Sequence, residues 1–275
     1  MRSMMYVWAI FALYFLPFWV HSQPLEISHQ QASEQDFSGI DGFSLTQSRT
    51  VITFPLIDKQ SRPGRWQLGP RFSENRFQLS GVAEGERRFY SFSLPVQYNT
   101  RQIGKVSYQW LFEPAYFTDE SLIEQRRFEM QFHWQMRYHV NSKASWVLGA
   151  ARDSGFGARV WYPRVGLISL PKPGIKHHWV FPNVYSQFAL NRDYSLRIHY
   201  TREGGQWLYR PEAGGEATLS YQQWDMGLRL LRRSPLPFYW MLGVGIKQSG
   251  EATIAGFNGD LSSTQYIIFG ITTAF

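Results

Sequence analysis

The 275-residue chain contains no cysteine. That absence excludes disulfides, thiolate-bound metals and a lipid anchor on an N-terminal cysteine. Beyond residue 20 the chain also lacks any apolar run approaching the ~20 residues of a membrane-spanning helix, so it is not a helical membrane protein. Catalytic and metal-binding signatures are missing too: there is no G-x-S-x-G elbow, no H-E-x-x-H and no EF-hand-like loop. Acidic residues are the scarcer charge, 21 Asp and Glu against 28 Lys and Arg, for a net charge of +7. The basic residues are scattered rather than gathered on one helix, so a nucleic-acid partner is not expected.

An export signal is present at the N-terminus. Arg2 supplies the positive charge, Val7 to Val20 an apolar stretch broken only by Pro17, and Val20 and Ser22 the −3 and −1 positions of a cleavage before Gln23. The apolar stretch is short for a membrane anchor.

Aromatic residues are also abundant, at 17%, and their spacing is informative. From Arg127 to Val140 the sequence alternates without error. Phe128, Met130, Phe132, Trp134, Met136, Tyr138 and Val140 share one side; Arg127, Glu129, Gln131, His133, Gln135, Arg137 and His139 share the other. A period of two is that of a β-strand, whose side chains point alternately to opposite faces. A strand with one face fully apolar and the other fully polar suits a barrel with lipid outside and a polar lumen inside. The opposite register would put Arg137, Glu129 and His133 into lipid, and a Lys or Arg near mid-bilayer costs about 2–4 kcal/mol.

Similar alternation recurs at Thr50–Leu56, Tyr90–Tyr98, Val106–Phe112, Trp146–Ala150, Tyr194–Tyr200, Trp224–Leu230, Phe238–Ile246 and Ile267–Phe275. Several sets begin or end in Tyr or Trp, the residues that favour membrane interfaces. Turn chemistry marks tight connections at 141–143, 191–193 and 234–236. Counting back from a last strand that ends in the periplasm puts 234–236 and 191–193 inside and the glycine-rich segments 203–216 and 249–263 outside as long loops. If 141–143 is also inside, an even number of strands lies between 144 and 190. Segment 158–190 holds Pro163, Pro171, Pro173 and Pro182 and resists division, because proline is disfavoured in paired strands. The expected fold is all-β, a single antiparallel transmembrane β-barrel of 10–12 strands over 48–275. Residues 1–22 are the signal peptide and 23–47 a periplasmic N-terminal arm.

Counting back by twos from Phe275 gives Ile271, Phe269 and Ile267. An extended segment with an aromatic carboxy-terminal residue can pair with a strand edge, as the recognition signal of the outer-membrane barrel assembly machinery does. Residues 88–275, through FYSFSLPVQY, VFPNVYSQFALNRDYSLRIHY and LPFYWMLGVGIKQSGEATI, resemble an uncharacterised family of Gram-negative outer-membrane β-barrels. The resemblance implies an outer-membrane location and one barrel domain, and carries over no functional residues. Lipid and glycolipid are then the expected surroundings; the basic excess suits either a glycolipid surface or an ordinary solvated one.

The expected lumen-lining residues are Glu113, Arg127, Glu129, His133, Arg137, Arg197, His199, Asp225, Arg229 and Lys247. They mix signs, so they read either as ion pairs that plug a narrow barrel or as a lining for a small solute, made mildly anion-favouring by Arg127, Arg137, Arg197 and Arg229. Ser195 and His199 share a face but lie about 13 Å apart along a strand, too far for a nucleophile–base pair. No cofactor is expected. A small pore is the first reading, a plugged structural or surface-interaction barrel the second, and a lipid-modifying outer-membrane enzyme a third that ranks below both, so the chain is not expected to be an enzyme. Intact-mass measurement of the exported protein checks the export signal: the mature chain should begin at Gln23.

Overall fold

The computed structural model describes residues 25–80, 85–120, 126–210, 217–254 and 256–273. The signal-peptide segment and Phe275 lie outside the described residues. Alternation builds strands throughout: β1 (Glu26–Ala32), β2 (Gln35–Asp36), β3 (Ser44–Thr53), β4 (Ile57–Gln60), β5 (Gly64–Leu68), β6 (Arg71–Ser80), β7 (Gly85–Ser93), β8 (Val96–Thr100), β9 (Val106–Thr118) and β10 (Arg126–Asn141). There follow β11 (Ala144–Asp153), β12 (Val160–Ser169), β13 (Ile175–Val180), β14 (Asn183–Ala189), β15 (Tyr194–Tyr209), β16 (Ala217–Arg233), β17 (Tyr239–Lys247), β18 (Gly250–Ile254), β19 (Phe257–Leu261) and β20 (Thr264–Thr272).

Every pairing is antiparallel. β1, β3, β6, β7 and β9 succeed one another around a ring. β10 to β17 follow in chain order, and β20 pairs with both β17 and β1 to close it. The remaining segments prolong ring strands beyond a bend: β4 with β5, β5 with β8, and β18 with β19 repeat the pairings of the strands they extend.

The fold class is the expected one, but the ring has 14 strands rather than 10–12. Two stretches account for the difference. Residues 26–32, expected in a periplasmic N-terminal arm, are β1, paired on both sides and closing the ring. The proline-rich stretch holds β12, β13 and β14. Pro163 is tolerated there because β13 pairs only with residues 166–169 of β12, which leaves residue 163 paired with β11 alone. Segments 203–216 and 249–263, expected as loops, are largely strand: β15 runs to Tyr209, and β18 and β19 form a hairpin.

Polarity divides the barrel into two storeys. The proximal end carries both described termini and the turns at 61–63, 101–105, 142–143, 170–174, 190–193 and 234–238. Near it, the outward side chains are apolar and exposed: Tyr138 and Val140 on β10, Met226, Leu228 and Leu230 on β16, Leu242 and Val244 on β17, Ile267 and Phe269 on β20. The inward ones are polar.

Towards the distal end this pattern inverts on β16 and several other strands, whereas β10 keeps Phe128 outward and Glu129 inward. On β16 the outward positions become Thr218, Ser220 and Gln222, while Leu219 and Tyr221 turn inward and are buried. Phe37, Phe43, Leu45, Phe77, Phe89, Phe117, Trp207, Tyr209 and Ile254 join them in one core. Phe77 and Phe89 both meet the Trp207 ring, at 6.2 and 5.5 Å, and Trp207 stacks on Tyr221 at 5.9 Å. The distal storey is therefore an ordinary side-chain-filled β-barrel.

The wall is uneven. The β13–β14 hairpin turns at Phe181–Pro182, so β12 and β15 rise past it without partners on that side. Above that level β15 leans inward, bringing its Cα atoms within 8 Å of β9 and β10. Residues 154–159 fold over the low hairpin, where Phe156 lies 4.8 Å from Tyr162 and 6.3 Å from Phe181, ring to ring. Truncating the distal core with Phe89→Ala should cost about 3–5 kcal/mol, read as a lower denaturant midpoint of the refolded barrel.

Candidate functional site: the barrel interior

Glu203 is the hub of the interior. Its carboxylate lies 2.9 Å from Lys247 Nζ and 3.1 Å from Arg49 Nη1, and accepts a bond from the Tyr221 hydroxyl at 3.3 Å. Lys247 Nζ also donates to Gln47 Oε1 at 2.6 Å. Arg49 and Gln47 belong to β3 and Glu203 to β15, strands separated in the ring by β16, β17, β20 and β1. The network therefore spans the lumen as a strut directly beneath the apolar core. A charge taken this far from water needs partners, and Lys247 is only 1% exposed.

The other lumen candidates fall into two groups. The first is paired. Glu113 takes Arg71 Nη1 at 3.2 Å and the Ser93 hydroxyl at 2.6 Å. Glu129 takes Arg127 at 2.8 Å and Arg159 at 3.7 Å. His133 Nε2 lies 2.9 Å from Asp153, which also accepts from Tyr162 and from the Gly155 amide. His199 Nε2 lies 3.0 Å from Tyr266 Oη and 3.4 Å from Asp225. Gly227 and Gly245 make room for that cluster, since a Cβ at either would collide with Tyr266 Oη. Ser195 is not part of it; its buried hydroxyl has no partner.

The second group is cationic and lies nearer the proximal mouth. Arg137 and Arg197 face the lumen there, each steadied by a neutral amide: Arg137 Nη2 donates to Gln109 Oε1 at 3.0 Å, and Arg197 Nη2 to Gln187 Oε1 at 2.8 Å. Arg229 is opposite Arg197 on the neighbouring strand. Arg164 and Lys176 complete the set. Among the described residues none of these five cations forms an ion pair.

Four of the residues that matter escaped the sequence reading. Arg49 precedes the first recognised alternating set, and Glu203 begins a stretch read as loop. Arg164 and Lys176 lie in the undivided proline-rich segment. A longer alternating window across Tyr194–Tyr209 would have found Glu203, which continues the inward set Ser195, Arg197, His199 and Thr201.

The strut makes a direct thermodynamic prediction. Glu203→Gln leaves Lys247 and Arg49 without their counter-ion and should cost about 3–5 kcal/mol. Adding Lys247→Met should recover part of that loss, because it removes one of the orphaned charges. Denaturant midpoints of the single and double variants measure both.

No family model matches the sequence, and no curated protein matches it. Among solved structures the chain is similar to the KdgM porin in complex with disordered oligogalacturonate, at 10% identity and TM-score 0.39, covering 91% of this chain and 99% of that one. It is similar to the Pseudomonas putida toluene transporter TodX at 7% identity and TM-score 0.44, covering 96% and 91%. The translocator domain of autotransporter NalP from Neisseria meningitidis gives 9% identity and TM-score 0.42, covering 100% and 96%. Likeness at this level lends no solute, partner or activity to this chain.

Proposed function

We propose that this chain is an outer-membrane β-barrel that passes a small solute, with a preference for anions. The observation that carries the reading is the pairing of an apolar, exposed outer belt with a lumen lined near its mouth by unpaired cations. A 14-stranded ring is wider than the ~8-stranded barrels whose interiors fill completely with side chains. In this reading the proximal end faces the periplasm, because short turns and the chain termini belong on that side. The distal storey then projects outside, among glycolipid headgroups and solvent, which suits its polar outer face. Ile267, Phe269, Ile271 and Phe275 serve the barrel assembly machinery as a C-terminal signal, after export by the cleaved leader. The solute path follows the β10–β14 side of the lumen, since the apolar core is drawn from the other strands.

A second reading has its own support. The strut and the apolar core above it close the larger part of the lumen, as in a structural barrel with a plugged interior.

Conductance in planar bilayers separates the two. Refolded mature chain should give small, stable, anion-selective steps, and Arg137→Gln should move the reversal potential towards cation permeation. A folded, heat-modifiable barrel with no conductance would remove the pore and leave the plugged barrel.

A further inference from the structure

The register sets three cations in one row across neighbouring strands. Lys176 on β13 pairs with Gln187 on β14, Gln187 with Arg197 on β15, and Arg197 with Arg229 on β16. All face the lumen. Arg197 and Arg229 are thus directly opposite each other, an arrangement in which like charges repel and destabilise a strand pair. The row contains no carboxylate. Glu26 is the acid that acts on Arg197 from across the mouth, but it forms no ion pair with it and instead accepts a bond from the Ser28 hydroxyl at 3.0 Å. Asp225, further along β16, is engaged by His199.

The cations are held in place rather than left to fold back on themselves. Gln187 Oε1 accepts from both Nε and Nη2 of Arg197, at 3.1 and 2.8 Å, which fixes the guanidinium plane and leaves Nη1 uncommitted. The Tyr185 ring lies beneath the same group, with Arg197 Cζ at 4.9 Å and Lys176 Nζ at 5.6 Å from its centroid. Arg229 Nε is buried and has no hydrogen-bond partner, and neither has the buried Ser195 hydroxyl, two residues before Arg197 on the same inward face. On the far side of Arg229 the row continues to Gly243, which adds no side chain. The row therefore combines opposed positive charges, oriented donors and two buried polar groups without partners.

We infer that Arg197 and Arg229, with Lys176 beside them, form a binding site for a small soluble oxyanion in the lumen. An anion between the two guanidinium groups converts their repulsion into two charge-assisted hydrogen-bonded contacts, the strong class of hydrogen bond. The inference rests on the proposed reading only in that the lumen is open to water from the proximal mouth; it does not require conduction.

Inorganic phosphate is the probe, titrated calorimetrically at constant ionic strength into refolded mature chain in chloride buffer. Wild type should bind, and Arg197→Gln and Arg229→Gln should each raise the phosphate Kd at least tenfold. Arg88→Gln, which removes an outer-face cation paired with Glu86, should leave it unchanged. A Kd equal in all four proteins, or no binding by wild type, overturns the site.

Stability gives an independent signature. In chloride, Arg229→Gln should unfold at a higher denaturant midpoint than wild type, because one of the opposed charges is gone; in phosphate that order should reverse. An Arg229→Gln variant that is less stable in both buffers, or fails to fold in chloride, contradicts the repulsion on which the inference stands. Phosphate binding without conductance would remove the pore and keep the site; conductance without phosphate binding would do the opposite.

Discussion

The buried carboxylate of Glu203 decides how this barrel is built. Placed between Lys247 and Arg49, it draws β3, β15 and β17 together across the lumen and marks the level at which the interior changes character. Above it the side chains are aromatic and aliphatic, packed ring against ring. Below it they are amides, hydroxyls and ions. The outer face changes at a comparable height in the opposite sense, from polar to apolar. A strand crossing that level must keep its inward parity while exchanging the chemistry of both faces, and β16 does so within a few residues, from Leu219 and Tyr221 to Asp225 and Arg229. A polar strut is the natural boundary, since one side of the network can rest on an apolar core while the other meets water.

The low β13–β14 hairpin follows from the same division. Strands that stop at the top of the apolar belt have no part in the distal core. β13 and β14 stop there, whereas β15 and β16 continue by several residues and supply Trp207, Tyr209, Leu219 and Tyr221 to it. The notch above the hairpin is covered by residues 154–159, tethered through the bond from the Gly155 amide to Asp153 and by contact of Arg202 with the Phe156 ring at 4.9 Å. Any path from the lumen to the distal side therefore runs past Asp153, His133 and Glu129, where every acid is already paired.

Much of the proximal storey was legible in the sequence, because there the two faces of each strand differ sharply. The run from Arg127 to Val140 fixes β10 and its facing by parity alone, and the same rule orients β15 to β17. The distal storey was not legible. Its strands carry apolar residues inward and polar residues outward, as a soluble barrel does, so a template with lipid outside finds no strand at Thr218 to Gln222 and reads Glu251 to Thr253 as loop. β1 was hidden for a related reason: with Ser28 and Gln30 inward and His29 and Gln31 outward, both of its faces are polar, and only its pairing with β20 and β3 identifies it. The site was half visible. Individual cations could be assigned to the lumen, but the opposition of Arg197 and Arg229 depends on register, and register across β13 and β14 depends on turns that the prolines obscured.

Strand number and aperture are separate quantities in this molecule. A 14-stranded ring would leave a wide lumen if it were circular and filled only by its own short side chains. Here the inward lean of β15 towards β9 and β10 divides the cross-section, and the larger part is occupied by the strut and the core above it. Below that level, nearer the proximal mouth, the lining is lopsided in charge. Among the described residues the deeper acids of the interior, Glu113, Glu129, Asp153, Glu203 and Asp225, each meet a cation or an imidazole. Glu26 faces the mouth bonded only to the Ser28 hydroxyl, and Arg137, Arg164, Lys176, Arg197 and Arg229 form no ion pair. Coulomb attraction weakens steeply as the dielectric rises, so these five act most strongly where the wall is close on every side. A narrow lumen with an unbalanced lining concentrates counter-ions more effectively than a wide one with the same charges, and the proposed preference for anions follows from that imbalance.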